Sequence, residues 1–102
     1  MEILNKNTFY QKIGSDRLVL VDFFATWCMP CRMLAPILEG VAEANKDIDV
    51  CKLDIDESSE LAREYRVFSV PTLILFKNGK AVDHLVGLNS VDAINDFIAK
   101  NR

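Results

Sequence analysis

The sequence predicts an α/β domain: a central mixed β-sheet, parallel in its first half and ending in an antiparallel hairpin, with helices on both faces. Three observations predict it. Residues 18–53 read as strand, helix, strand, the crossover unit that joins parallel strands. Asn78-Gly79 separates two β-rich runs, a strong hairpin signal. The run Leu18–Phe24 is apolar at alternate positions on both sides, the pattern of a strand inside a sheet that is covered twice. The chain has 102 residues, one domain's worth of sequence and enough to bury a core without staples. Residues 1–102 are therefore expected to form a single domain.

Taken in order, Asn5-Lys6-Asn7 precedes a short helical pattern that places Phe9 and Ile13 on one face and closes at Gly14. The doubly apolar strand Leu18–Phe24 follows. Met29 to about Asn45 reads as a long helix, because Cys31, Leu34, Leu38, Val41 and Ala42 recur at close to 3.6 residues. Pro36 lies inside it and is expected to kink it, since its ring displaces the carbonyl four residues back. Ile48–Leu53 is the second strand of the crossover. Ser58 is a candidate cap for a short helix carrying Leu61 and Tyr65. Thr72–Lys77 and Lys80–Val86 are the hairpin strands, and Ser90 caps a last helix with Val91, Ile94, Phe97 and Ile98 on one stripe.

Composition removes several function classes. Fifteen Asp and Glu against twelve Lys and Arg give a net charge of −3, so there is no basic surplus to neutralise nucleic-acid phosphates. The longest apolar runs, Leu18–Val21 and Leu73–Phe76, are too short to span a bilayer. Met1–Lys6 has no basic region leading into an apolar stretch, so a cytoplasmic location is expected. Three cysteines are an odd number, which excludes a fully paired disulfide framework within one chain.

Two of the three form Trp27-Cys28-Met29-Pro30-Cys31, where a strand ends and a helix begins. That places Cys28 at a helix N-terminus, whose free N–H groups and dipole favour a thiolate, the nucleophile of disulfide exchange. Cys31 lies one turn further on, in the stripe of Leu34 and Leu38 that faces the sheet. The pair is thus read as an exposed attacking thiol and a shielded second thiol. Pro30 suits the first turn, where a missing N–H costs nothing. The other readings of the pair are a structural disulfide or half a metal site.

Asp22 sits in the doubly apolar strand, so its carboxyl is buried on either face. Burial without partners raises an acid's pKa toward that of a general base at neutral pH, and a proton acceptor for Cys31 is the expected role, with a strand-end Asp capped by backbone amides as the alternative. Lys52 alternates with Ile48 and Val50 on the neighbouring strand, where it either modulates Asp22 or extends to solvent. Pro71 opens a strand, and a cis Val70–Pro71 bond would leave the Val70 backbone free to pair with a substrate strand. Cys51 shares a face with Leu53 and Ile55 and is read as an inert buried thiol, with a resolving or dimer-forming role as the alternative. His84, the only histidine, is expected to be solvated.

The chain resembles the thioredoxin family. The resemblance runs from the first strand to the last helix. It rests on Asp22-Phe23, Trp27-Cys28-Met29-Pro30-Cys31, Pro36, Lys52-Leu53-Asp54-Ile55-Asp56, Val70-Pro71-Thr72, Phe76-Lys77-Asn78-Gly79 and Gly87. It implies the thioredoxin fold and a general protein dithiol–disulfide oxidoreductase. Cys28 would attack a target disulfide, and Cys31, deprotonated with help from Asp22, would release the reduced target. Trp27, Met29, Pro30, Val70, Pro71 and Gly87 would form the surface that receives it. The resemblance further implies no bound cofactor and no metal, and electrons from NADPH through a separate thioredoxin reductase. Its partners would be disulfide-containing proteins and that reductase, with neither nucleic acid nor membrane, and the chain would be a monomer.

Two departures stand out. Met29 replaces the family's usual Gly, giving Cys-Met-Pro-Cys, and Phe68-Ser69 precedes Val-Pro where a Gly is usual. Both bear on the reduction potential and on partner choice. Three other functions compete: a thiol oxidant or isomerase of the same fold, a metal module using Cys28, Cys31, Cys51 and His84, and a non-catalytic docking subunit.

Overall fold

The computed structural model describes residues 1–102. The chain runs β1 (Glu2–Leu4), α1 (Phe9–Ile13), β2 (Val19–Phe24), α2 (Met29–Ala44), β3 (Asp49–Asp54), α3 (Ser59–Glu64), β4 (Thr72–Lys77), β5 (Lys80–Val86) and α4 (Val91–Ala99). The five strands form one sheet in the order β1-β3-β2-β4-β5. β1 and β2 each pair with β3 in parallel, whereas β4 pairs with β2 and β5 in antiparallel. The predicted mixed sheet with helices on both faces is the observed one.

Alternation along β2 builds both cores at once. Val19, Val21 and Phe23 face a cluster with Phe9 and Ile13 of α1 and Leu61 and Ala62 of α3. Leu18 and Leu20 face the opposite way, onto Leu34, Leu38 and Val41 of α2 and Ile94, Phe97 and Ile98 of α4. Because successive side chains of a strand point to opposite faces, Asp22 falls on the α2 side of the sheet. The hairpin turn is made by two left-handed residues, Asn78 (φ 54°) and Gly79 (φ 83°), which suits the twist of the strands it joins.

Two details differ from the sequence reading. The strand β1 was not expected: three residues are too few to show a period, and it forms by pairing in register with β3, burying Leu4. Ser58 stands at the start of α3 but its side chain makes no capping bond. The turn into α3 is instead held by Asp54, whose Oδ1 accepts from the amides of Asp56 and Glu57. As expected, Pro36 lies inside helix α2; it is exposed, so the bond that proline cannot make is lost on the solvent side.

Candidate redox site

Helix α2 starts at the disulfide. Cys28 is its N-cap, in extended backbone (φ −90°, ψ 112°), and its Sγ accepts from the Cys31 amide at 3.2 Å. Cys28 and Cys31 are bonded to each other across one helical turn. The amide directed at Cys28 Sγ is one of the unpaired donors of a helix N-terminus, so on reduction it favours the thiolate there. The expected contrast between an exposed Cys28 and a shielded Cys31 is absent from this disulfide form, in which each is 4% exposed. Cys28 is drawn into a small apolar cluster with Ala25 and Cys31, against which Phe24, Ile55 and Val70 pack.

The loop before β4 closes over the pair. The Val70 carbonyl oxygen lies 3.7 Å from Cys28 Sγ, the Val70–Pro71 peptide bond is cis, and Pro71 is buried. The Pro71 carbonyl accepts from the Gly87 amide at 2.8 Å. Gly87 has φ +93°, and a Cβ there would meet nothing within 4 Å. The residue is therefore required by its left-handed backbone and not by close packing. Around this loop the rim is apolar and open: Trp27 is 67%, Met29 61% and Phe68 88% exposed. Trp27 is tethered all the same, its Nε1 donating to Asp56 Oδ2 at 2.9 Å.

Asp22 has no exposed surface, and neither carboxylate oxygen has a hydrogen-bond partner. Burial raises its pKa from 3.8 to about 7, and the positive charge of Lys52 opposes that rise. Asp22 and Lys52 are register partners across β2 and β3. The Lys52 ammonium stands 4.3 Å above the centre of the Phe24 ring. Lys52, Phe24 and Cys31 line one cleft of about 420 Å³, together with Ala25, Thr26, Arg32 and Ala35.

The structure thus gathers Cys28, Cys31, Val70 and Pro71 at one place and sets the Asp22–Lys52 pair beneath the same end of the sheet. It does not gather Cys51 or His84. Cys51 is buried in the α1–α3 core, where burial pushes its thiol up to about 11. His84 is exposed on β5, opposite Ile74. No group of three or more His, Cys, Asp or Glu is arranged to hold a metal ion. Two residues at the site were not assigned a role from sequence, Asp56 and Phe24. The motif Lys52–Asp56 contained the first, but a tether between side chains 29 positions apart leaves no local pattern.

Comparison with known proteins agrees with this geometry. The family model described as Thioredoxin matches residues 1–100. A thioredoxin of Chlamydia trachomatis serovar D is 44% identical over 102 residues, covering 100% of this chain and 99% of that one. A bifunctional thioredoxin reductase/thioredoxin of Mycobacterium leprae is 44% identical over 95 residues, covering 92% of this chain and 21% of that protein. The solved structure of a Plasmodium falciparum thioredoxin superposes with a TM-score of 0.92 at 36% identity, covering 100% of both chains. The chain belongs to the thioredoxin family of protein-disulfide oxidoreductases.

Proposed function

We propose that residues 1–102 act as one domain that reduces disulfides in other proteins, with Cys28 as nucleophile and Cys31 as resolving thiol. In the reduced form the Cys28 thiolate attacks one sulfur of a target disulfide. An S–S bond forms between Cys28 and the target, and the other target sulfur leaves as a thiolate that takes up a proton. Cys31 then gives its proton to Asp22 and attacks Cys28 Sγ. The second target sulfur leaves with the electron pair of the broken bond, and Cys28–Cys31 is left oxidised. Two electrons have passed to the target; the second target thiolate, like the first, takes up a proton from solvent, and Asp22 returns its proton to solvent. Lys52 moderates Asp22, while Trp27, Met29, Pro30, Val70, Pro71 and Gly87 receive the target.

The observation that carries this reading is the bonded Cys28–Cys31 pair at the start of α2, under the Val70 carbonyl. A separate thioredoxin reductase drawing on NADPH is the proposed electron source. The fused Mycobacterium leprae relative, which joins both names in one chain, supports that pairing. The domain works as a monomer in the cytoplasm in this reading and carries no cofactor of its own. No helix is long and apolar enough to cross a membrane.

The test uses Cys31→Ser and Cys28→Ser with a disulfide-bonded protein as target. Cys31→Ser accumulates a covalent adduct through Cys28 that dithiothreitol releases, and Cys28→Ser forms none. An adduct through Cys31, or turnover by either variant at the wild-type rate, overturns the assignment. A Cys28–Cys31 reduction potential near or above the cytosolic glutathione poise assigns the chain to the oxidant or isomerase class instead.

A further inference from the structure

Phe24 lies two residues after Asp22 on β2, so the two side chains leave the same face of the sheet. Asp22 is opposite Lys52 in the β2–β3 register, and Phe24 is opposite Asp54, which makes Phe24 the diagonal neighbour of Lys52. The Lys52 ammonium takes part in none of the molecule's ion pairs. What it meets is the face of the Phe24 ring, 4.3 Å from the centroid, well inside the range in which a cation is attracted to an aromatic quadrupole. The same ring packs against the Ala25–Cys28–Cys31 cluster and lines the cleft with Cys31 and Lys52.

We propose that Phe24 is a positioning residue for disulfide exchange: its ring face holds the Lys52 ammonium in the cleft beside Cys31, keeping that charge opposite the unpartnered Asp22 carboxyl. Without the ring, a half-buried lysine on a four-carbon stem extends to water. Its charge then acts on Asp22 from further away and through solvent. The remaining neighbours do not replace it. Arg32 lines the cleft, but its guanidinium donates to the Thr26 carbonyl at 2.9 Å. The Asp54 carboxylate is held by the amides of Asp56 and Glu57. Cys31 is bonded to Cys28 in the oxidised protein and does not titrate. On the same face, α2, β4 and α4 contribute Leu34, Leu38, Leu73, Leu75 and Ile94, all apolar.

The consequence for turnover rests on Asp22 being the proton acceptor, whereas the positioning itself is read without turnover. The experiment titrates the Asp22 carboxyl of the oxidised protein by carbon NMR, in wild type and in Phe24→Leu, Phe24→Tyr, Lys52→Met and the Phe24→Leu/Lys52→Met double variant. Phe24→Leu and Lys52→Met each raise the midpoint by about half a pH unit or more. The double variant goes no higher than Lys52→Met, because both changes remove one interaction. Phe24→Tyr keeps the ring face and stays at the wild-type midpoint. A Phe24→Leu midpoint equal to or below wild type overturns the proposal, as does a double variant in which the two shifts add. A failure of the reductase reading shows separately, in the adduct assay, and leaves these midpoints untouched.

Discussion

Burial moves the Asp22 pKa from its ordinary 3.8 to about 7, so the folded protein keeps a proton that the unfolded chain releases near pH 4. Below pH 4 both states are protonated and Asp22 has no effect on stability. Between pH 4 and 7 only the unfolded state ionises, and stability falls as pH rises. Above pH 7 both states are ionised and the full penalty, roughly 4 kcal/mol, persists. Chemical unfolding of the oxidised protein at pH 4 and pH 8 is therefore expected to show a loss that Asp22→Asn largely lacks; parallel behaviour of the two proteins counts against a buried, protonated Asp22. In the proposed exchange the same substitution removes the acceptor for the Cys31 proton. Release of the mixed disulfide should slow by about 10²-fold at pH 7, measured by stopped flow. Cys51 has the opposite character. Buried, with its thiol pushed up to about 11, it is expected to resist iodoacetamide in the native reduced protein at pH 8 while Cys28 is modified, as peptide mass spectrometry would show.

Two serines that look alike in sequence separate at the scale of the element. Both Ser58 and Ser90 precede helices, and cap preference alone ranks them equally. Ser90 Oγ accepts from the Ala93 amide at 3.1 Å, whereas Ser58 makes no capping bond because Asp54 already organises the turn before α3. Ser90→Ala should cost about 1 kcal/mol and Ser58→Ala only a few tenths, and equal losses in denaturant midpoint would contradict the structure. The long, periodic elements were legible from their patterns: α2 and the two hairpin strands begin and end within a residue of the sequence reading, and α4 begins directly after its expected cap, Ser90. The strand β1 was not legible, because it is defined by the free edge of β3 and not by its own three residues.

At the scale of the whole molecule, Phe9 ties one side of the sheet to its helices. Its ring lies 5.5 Å from Phe76, 5.6 Å from Tyr65 and 6.5 Å from Phe23, linking α1 to β4, to the residue that ends α3, and to β2. It has no exposed surface. Phe9→Ala should lower stability by about 3–5 kcal/mol and the melting temperature by more than roughly 10 °C. A calorimetric shift of only a degree or two would mean that the ring is dispensable to the packing. Because α1 and α3 share this cluster while α2 and α4 share the other, the loss falls on the α1–α3 face of the sheet.

Sequence by itself determined the two-faced burial of β2, the crossover, the hairpin and the placement of Cys28 and Cys31 at a helix start, since each follows from short-range periodicity or from residue chemistry at fixed spacing. Asp22 was legible for the same reason: a carboxyl in a strand with no polar face has nowhere wet to go. Tertiary structure alone decided that Lys52 stands over Phe24, that Trp27 is tethered to Asp56, and that Cys28 is covered by the Val70 loop in the disulfide form. It also decided that the Val70–Pro71 bond is cis. These contacts join segments far apart in the chain, and their energies arise only once the sheet has set the register that brings them together.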